Sequence, residues 1–274
     1  DYWTNVLQPH QAERAIATTA ALIDRTAHLT NLPGKPAIAY DEWNVWYRTG
    51  FQNTGTVDLA ERYTFDDALA VATYLNIFVR NCARVRMANL AQMVNAIAPI
   101  VTTDTAAAVQ PIYYPFLLHA RAALAAAVDV HVDGPVVAPE LPQDASRWPH
   151  RIADLGPFAL VDAAASVSAD RGKLTVTLVN RAPDAAEEAR LVLRDYAFAG
   201  LATVTTLTAA DAQAARPGLS SLASLAPLAG PPSLSGTAGA HLAETAVPVH
   251  SPAFALTLPP RSFTVVEAPV TASP

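Results

Sequence analysis

Hydrophobic and polar positions change their period once along this chain, near residue 124. In the first part, apolar residues recur at helical spacing, and short apolar runs separate the helical segments. We predict helices over residues 8–29, 65–81 and 109–123, and buried strands over residues 36–40 and 85–93. Helices that alternate with buried strands are typical of a parallel α/β array.

The second part has the period of β-strands. Residues 128–132 and 174–178 alternate apolar and polar side chains, and turn signals separate the strand-like segments of this part. The pattern predicts an all-β sandwich. Four further segments are predicted as strands: residues 191–193, 202–207, 253–258 and 262–267.

One long segment of the second part lacks a strand period. Residues 216–240 are rich in Ala, Ser, Gly, Pro and Leu and carry few charges, so we predict a long loop there. The change of period divides the chain into an α/β part, residues 1–123, and a sandwich, residues 124–274.

The amino-acid composition limits which partners the protein can bind and indicates its cellular compartment. The 274 residues are 51% hydrophobic, which is ample for a packed core and for more than one domain. The net charge is −6 and basic residues form no run, so we expect no nucleic-acid partner. No stretch is apolar enough to span a bilayer, and we expect no membrane partner. The only cysteine, Cys82, fits a reducing, cytoplasmic compartment and is predicted to be a buried structural thiol.

Other polar side chains offer weaker signals. The seven histidines are scattered and none forms an HExxH pair, so we expect no metal and no cofactor. Arg80, Arg84 and Arg86 form a small basic cluster that we expect to make salt bridges with helix acids. Asn44 and Asn95 could either reach a pocket or brace loops, and the residues themselves leave both roles open.

Charged and aromatic residues concentrate in one stretch, AYDEWNVWYR, which begins at Ala39. Glu42 follows an apolar run there, and parallel α/β sheets place reactive groups where strands end. Trp43, Trp46 and Tyr47 could surround this carboxylate with flat walls that suit the C–H faces of a sugar. Such a site favours glycoside chemistry. The alternative is that Glu42 is an ordinary surface residue and the tryptophans belong to the core.

The same stretch carries a resemblance to a known family. YDEWNVWY resembles the nucleophile motif of family 51 glycoside hydrolases, the α-L-arabinofuranosidases. The segment from Phe78 to Thr102, FVRNCARVRMANLAQMVNAIAPIVT, resembles the following helix and last barrel strand of that family. AVDVHVDGP, TLVNRAP and LPPRSFTVVEA resemble pieces of its C-terminal sandwich.

The resemblance implies a fold, an activity and site residues. The fold would be the C-terminal part of a (β/α)₈ TIM barrel followed by a jelly-roll-like β-sandwich. The activity would be removal of terminal non-reducing α-L-arabinofuranosyl groups from oligosaccharides with retention, by a protein that forms homo-oligomers. Glu42 matches the nucleophile, Trp46 an aromatic lining the sugar pocket, and Gln92 a glutamine that hydrogen-bonds the arabinose. Asp41 would face the opposite way along an extended backbone and have a structural role.

The resemblance also implies an incomplete site. The acid/base glutamate of the family lies in an Asn-Glu pair after the fourth barrel strand, and no residue here matches it. Residues 1–5 resemble the loop before the sixth barrel helix, so the chain would hold about the last two barrel strands and be inactive alone.

A second function class stays open for the sandwich, which could bind carbohydrate or only support the barrel. Phe254 and Phe263 are spaced for a core, and Trp148 lies in a Pro-rich loop, which favours support.

Overall fold

The computed structural model describes residues 1–47, 61–102, 104, 106–140, 152–210 and 240–273. The helices in these ranges are α1 (Tyr2–Leu7), α2 (His10–Leu29), α3 (Phe65–Arg80) and α4 (Tyr113–Ala122), with a 3₁₀ turn at Ile152–Leu155. The strands are β1 (Ile38–Trp43), β2 (Val85–Leu90), β3 (Ile100–Thr102), β4 (Ala107–Val109), β5 (Ala126–Val128), β6 (Val136–Val137), β7 (Phe158–Ala159), β8 (Val161–Val167), β9 (Lys173–Asn180), β10 (Glu187–Val192), β11 (Tyr196–Ala209), β12 (Ala240–Ser251), β13 (Ala253–Leu258) and β14 (Ser262–Ala272).

The predicted helices of the first part are largely confirmed. α3 begins where Thr64 and Asp67 form a reciprocal capping box, which satisfies backbone donors at the start of the helix. The helix predicted over residues 109–123 starts only at Tyr113, because Ala107–Val109 instead pairs with Ile100–Thr102 as an antiparallel strand. Residues 1–5 were expected in a loop, but all except Asp1 lie in α1.

β1 and β2 form a parallel pair joined through α3, as the alternating pattern predicts. The expectation that both strands are buried is wrong. Only Trp43 in β1 and Val85 in β2 are buried. Within the described ranges, each of these two strands pairs only with the other, so their outer edges stay open. A complete barrel around this pair stays a prediction.

α3 is buried on nearly all sides because it lies between two cores. One face, which includes Phe65 and Leu69, joins a core shared with α1, α4 and the large sheet. The other face, which includes Tyr74 and Ile77, joins a core with β1, β2 and α2. This helix therefore connects the parallel pair to the second part of the chain.

The second part is all-β, as predicted. Six strands form one sheet in the order β12-β11-β14-β9-β8-β5, and β10 pairs with β13 in a smaller sheet. Buried side chains of both sheets, among them Leu178, Val266 and Phe254, meet in a common core, while the opposite face of the large sheet packs on helices. The predicted core positions of Phe254 and Phe263 are confirmed, because both are buried.

Several strand predictions need correction. The alternating residues 128–132 form a strand only up to Val128, where pairing with β8 ends, and the strand predicted over residues 191–193 covers Glu187–Val192. Four strands of the second part were missed: β6, β7, β8 and β12. The centre of β8 is buried along consecutive residues, so it lacks the alternation of a half-exposed strand. Of the predicted loop over residues 216–240, only Ala240 lies within the described residues, where it begins β12, and Trp148 lies outside them.

Buried charges fill the helix–sheet interface, by which we mean the contact of α2, α3 and α4 with β8, β9 and β14. Arg80 donates hydrogen bonds to Asp162 at 3.0 Å and to Glu13 at 3.2 Å. Asn76 donates to the same Asp162 at 2.7 Å. Burial alone would raise the pKa of Asp162, but the Arg80 and Arg181 charges outweigh burial and lower it.

The basic cluster behaves largely as expected, whereas Cys82 does not. Arg80 makes the pairs just described, and Arg84 pairs with Asp24 at 2.9 Å, so salt bridging is confirmed for these two arginines. Cys82 is exposed, because it lies in the turn that follows α3 rather than on the helix. Among the residues that the structure covers, no helix is both long and apolar enough for a membrane crossing.

Candidate active site at the ends of the parallel strands

The carboxyl ends of β1 and β2 meet at one edge, which we call the strand-end site. Asp41 is paired with Asn89 and Trp43 with Leu90. Glu42 therefore lies within the last residues of β1, and Gln92 follows β2 by two residues. The structure brings these two predicted site residues to the same edge, where parallel α/β sheets bind their ligands.

Glu42 occupies a bulge. The register shifts between Asp41 and Trp43 while their partners Asn89 and Leu90 are consecutive, so Glu42 is the extra residue. Its φ is 60°, in the left-handed region that non-glycine residues rarely adopt. Bulges beside active sites redirect a side chain, and a residue held at positive φ is a signal of function.

This geometry changes the reasoning about Asp41. An extended backbone through both acids was expected, and Glu42 is not extended. Asp41 nevertheless has a structural contact, because its carboxylate accepts a hydrogen bond from the Asn89 side chain on the neighbouring strand. Sequence reasoning missed the bulge, since no glycine marks it.

Unusual backbone geometry continues in the loop after β2. Asn95 has a φ of 64° and the β-branched Ile97 a φ of 49°. Among the described residues, six non-glycine residues have positive φ, and three of them, Glu42, Asn95 and Ile97, lie at this edge. Strained backbone is therefore concentrated at the strand-end site.

The three aromatics of the motif separate into two roles. Trp43 is only 3% exposed and its ring lies 5.0 Å from that of Phe78 and 5.4 Å from that of Tyr74, so it is a core residue. Trp46 and Tyr47 are 38% and 47% exposed. Trp43 therefore does not belong to the aromatic frame that was predicted for Glu42.

Tyr47 is held by a buried carboxylate. Its hydroxyl donates to Asp67, which also accepts from the Asn5 side chain at 2.7 Å and from the Thr64 backbone N–H at 2.6 Å. Burial raises the pKa of Tyr47, and the Asp67 charge raises it further, so the hydroxyl keeps its proton. Burial also raises the pKa of Asp67, although its hydrogen bonds oppose that change. The segment after β1 is thereby attached to the start of α3.

Both asparagines that could have reached a pocket brace loops instead. Asn44 donates to the carbonyl oxygens of Ala91 at 3.1 Å and Ile97 at 2.5 Å. Asn95 accepts from the backbone N–H of Thr102, at the end of β3, at 2.7 Å.

Gln110 is a further brace that the sequence did not reveal. It is 3% exposed and donates to the carbonyl oxygens of Ala98 at 2.7 Å and Glu61 at 3.1 Å. Its own side-chain oxygen accepts from the Tyr63 N–H at 3.0 Å, and the Tyr63 hydroxyl donates to the Val45 carbonyl at 2.8 Å. A lone glutamine in a sequence carries no sign of such long-range contacts.

A comparison with known families shows to which family the chain belongs. The profile of a family described as the α-L-arabinofuranosidase C-terminal domain matches residues 41–216. The chain belongs to this family. The match begins at Asp41, directly before the bulged Glu42 of the strand-end site.

Individual relatives of the chain agree with the match. A protein named "Probable alpha-L-arabinofuranosidase C" from Aspergillus clavatus is 36% identical over 183 residues, covering 66% of this chain and 34% of the relative. The "Intracellular exo-alpha-(1->5)-L-arabinofuranosidase 1" of Bacillus subtilis is 33% identical over 180 residues, covering 63% of this chain and 33% of the relative. The chain thus spans about a third of the length of these curated relatives.

A solved structure extends the similarity over nearly the whole chain. The α-L-arabinofuranosidase from Thermotoga maritima, solved as an arabinose complex, superimposes with a TM-score of 0.76 and 25% identity. The alignment covers 98% of this chain and 50% of that structure.

Proposed function

We propose that this chain is the C-terminal part of a retaining α-L-arabinofuranosidase and that Glu42 is its nucleophile. The observation that carries the proposal is the bulge at the end of β1, which holds an exposed carboxylate at a φ of 60°. An acid in an unfavourable backbone conformation at the ligand-binding edge of a parallel pair fits a functional residue better than an ordinary surface one. Family membership supplies the reaction class.

Glu42 acts as a carboxylate in this reaction. It attacks the anomeric carbon of the arabinofuranosyl group, so that an ester bond forms as the glycosidic bond breaks. A second carboxyl group protonates the departing oxygen and then takes a proton from the water that cleaves the ester. We assign this second group to the part of the relatives that the chain does not match. It should lie about 5–5.5 Å from Glu42, the separation typical of retaining pairs.

Trp46 and Gln92 bind the sugar in this proposal. Trp46 is partly exposed and lies four residues after Glu42, and we assign its ring to an apolar face of the arabinose. Gln92 follows β2 and offers both a donor and an acceptor to sugar hydroxyls. Replacing either residue should raise KM more than it lowers kcat.

The substrate class follows from the relatives. Their names refer to arabinofuranosidases, and the Bacillus subtilis relative is named for exo-action on α-(1→5) linkages and for an intracellular location. We therefore propose arabinofuranosyl oligosaccharides as substrates and a cytoplasmic location. A homo-oligomeric assembly stays a prediction from the family resemblance.

The sandwich supports the site in this account rather than binding carbohydrate. Among the described residues, its phenylalanines Phe158, Phe198, Phe254 and Phe263 are buried and Tyr196 is partly buried. Its large sheet packs against α3, the helix that connects β1 to β2.

Proton NMR of the first-formed arabinose tests the reaction class. The full-length protein should release arabinose from p-nitrophenyl α-L-arabinofuranoside as the α-anomer before mutarotation. An initial β-anomer would exclude retention, and no release at all would exclude the activity.

A further inference from the structure

We infer that Asn44 is a positioning residue that fixes the loop carrying Gln92 relative to Glu42. The inference rests on the proposed function and adds to it a residue that contacts neither the reacting atoms nor the sugar. Asn44 lies two residues after the bulged Glu42, beyond the end of β1. Its side chain reaches across to the loop that follows β2.

The side chain of Asn44 uses every part of its amide. Its oxygen accepts the backbone N–H of Val45 at 2.8 Å, which fixes the orientation of the amide on its own loop. Its nitrogen donates to the carbonyl oxygens of Ala91 at 3.1 Å and Ile97 at 2.5 Å. One planar group therefore holds three backbone segments.

Two of these contacts bear directly on Gln92. The Ala91 carbonyl belongs to the peptide group that ends in the Gln92 nitrogen. The Ile97 carbonyl accepts from Asn44 and also from the Gln92 N–H, at 3.3 Å. Gln92 and Asn44 thus share an acceptor, and that acceptor belongs to a β-branched residue with a φ of 49°.

The positive φ of Ile97 is unfavourable and persists only when surrounding contacts hold it. The Asn44 amide supplies such a contact by donating to the Ile97 carbonyl. Few other side chains could replace it. Aspartate keeps the acceptor for Val45 but turns two donors into a charge that faces two carbonyl oxygens. Alanine and serine are too short to reach the loop after β2. The requirement is therefore for an amide with two donors and one acceptor at this position.

The N44A variant of the full-length protein tests the inference by its effect on turnover. Displacement of the Gln92 loop should lower kcat/KM for p-nitrophenyl α-L-arabinofuranoside by about 10- to 100-fold, the scale expected when a binding group moves by about an ångström. The loss should be similar in N44D.

A double-mutant cycle separates positioning from a general loss of structure. If Asn44 acts through Gln92, then N44A should lower kcat/KM by a much smaller factor in a Q92A background than in the wild type. Equal losses in both backgrounds would overturn the inference, as would a wild-type kcat/KM in N44A.

Asn180 provides a matched control in the sandwich. Its side chain also accepts a nearby backbone N–H, from Ala182, and donates to carbonyl oxygens of other segments, including Leu258 and Pro259. N180A should lower the midpoint of thermal unfolding but leave kcat/KM of the folded protein unchanged. Equal kinetic losses in N180A and N44A would show that lost stability alone explains both. A wild-type protein without turnover would instead refute the proposed function, and this inference with it.

Discussion

The strand-end site and the helix–sheet interface place acidic side chains in opposite surroundings. At the strand-end site, Glu42 is exposed on a bulge at a φ of 60°. At the interface, Asp162 is buried in a regular strand and receives hydrogen bonds from Arg80 and Asn76. The first carboxylate is available to a ligand and the second is not. The chain thus separates the residues that can react from those that hold it folded.

α3 links the two regions, because one of its faces packs under β1 and β2 and the other under the large sheet. We therefore expect substitutions at the interface to affect turnover only by lowering the fraction of the protein that is folded. Substitutions in the two regions should have separable effects on stability and turnover.

The largest expected effect on stability is at the interface. D162A removes a carboxylate whose side chain is 6% exposed and leaves the Arg80 charge with one fewer partner. We expect a loss of roughly 3–5 kcal/mol in the free energy of unfolding. Denaturant unfolding measures it, and kcat of the folded protein should not change.

The exposed pair of Lys173 and Glu267 is the control for that loss. The Lys173 side chain is 47% exposed, so K173A should cost less than about 1 kcal/mol. Similar losses in D162A and K173A would remove the contrast between buried and exposed charges.

The interface should also make stability depend on pH. Burial lowers the pKa of His119 to about 4, although its hydrogen bond to the Pro115 carbonyl and the Asp162 charge oppose this. Its unfolded pKa is about 6.5, so between these values the unfolded state binds more protons and stability falls as the pH falls. From pH 7 to pH 5 the loss should be about 2 kcal/mol. Denaturant unfolding of wild type and H119Q at both pH values checks it, and equal losses in the two proteins would contradict this origin.

The smallest expected effect on the free energy of unfolding concerns the backbone strain at Glu42, and denaturant unfolding measures it. Glycine adopts a φ of 60° without the steric cost that alanine has there. E42G should therefore be more stable than E42A by about 1 kcal/mol. Ala39 lies in the same strand and has no positive φ, so A39G should instead lose about 0.5–1 kcal/mol. E42G less stable than E42A would show that the bulge stores no strain.

Local signals explain what the sequence predicted well. Thr64 and Asp67 mark the start of α3 because both capping partners lie within four residues. β13, predicted over residues 253–258, has these bounds because a turn precedes it and a Pro pair follows it. Glu42 and Gln92 were placed at one edge of the parallel pair for the same reason, since each lies within two residues of the end of a recognisable strand.

Long-range contacts explain what the sequence did not predict. Asn44, Gln110 and Asp162 find their partners 12 to 86 residues away, so no local pattern indicates their roles. The bulge at Glu42 depends on register with β2, which the sequence of β1 alone does not contain. The burial predicted for β1 and β2 failed because an apolar strand is buried only when neighbouring elements cover it.

Chemical rescue of the E42A variant tests most directly whether Glu42 is the nucleophile. E42A in the full-length protein should lose turnover of p-nitrophenyl α-L-arabinofuranoside by on the order of 10⁴-fold or more while its thermal unfolding midpoint stays near that of the wild type. Added azide should restore part of the rate and yield an arabinosyl azide with inverted anomeric configuration, because azide then attacks once from the face that the carboxylate has vacated. A variant that keeps a large share of the wild-type rate, or that azide leaves inactive while a different carboxylate variant is rescued, would contradict the assignment.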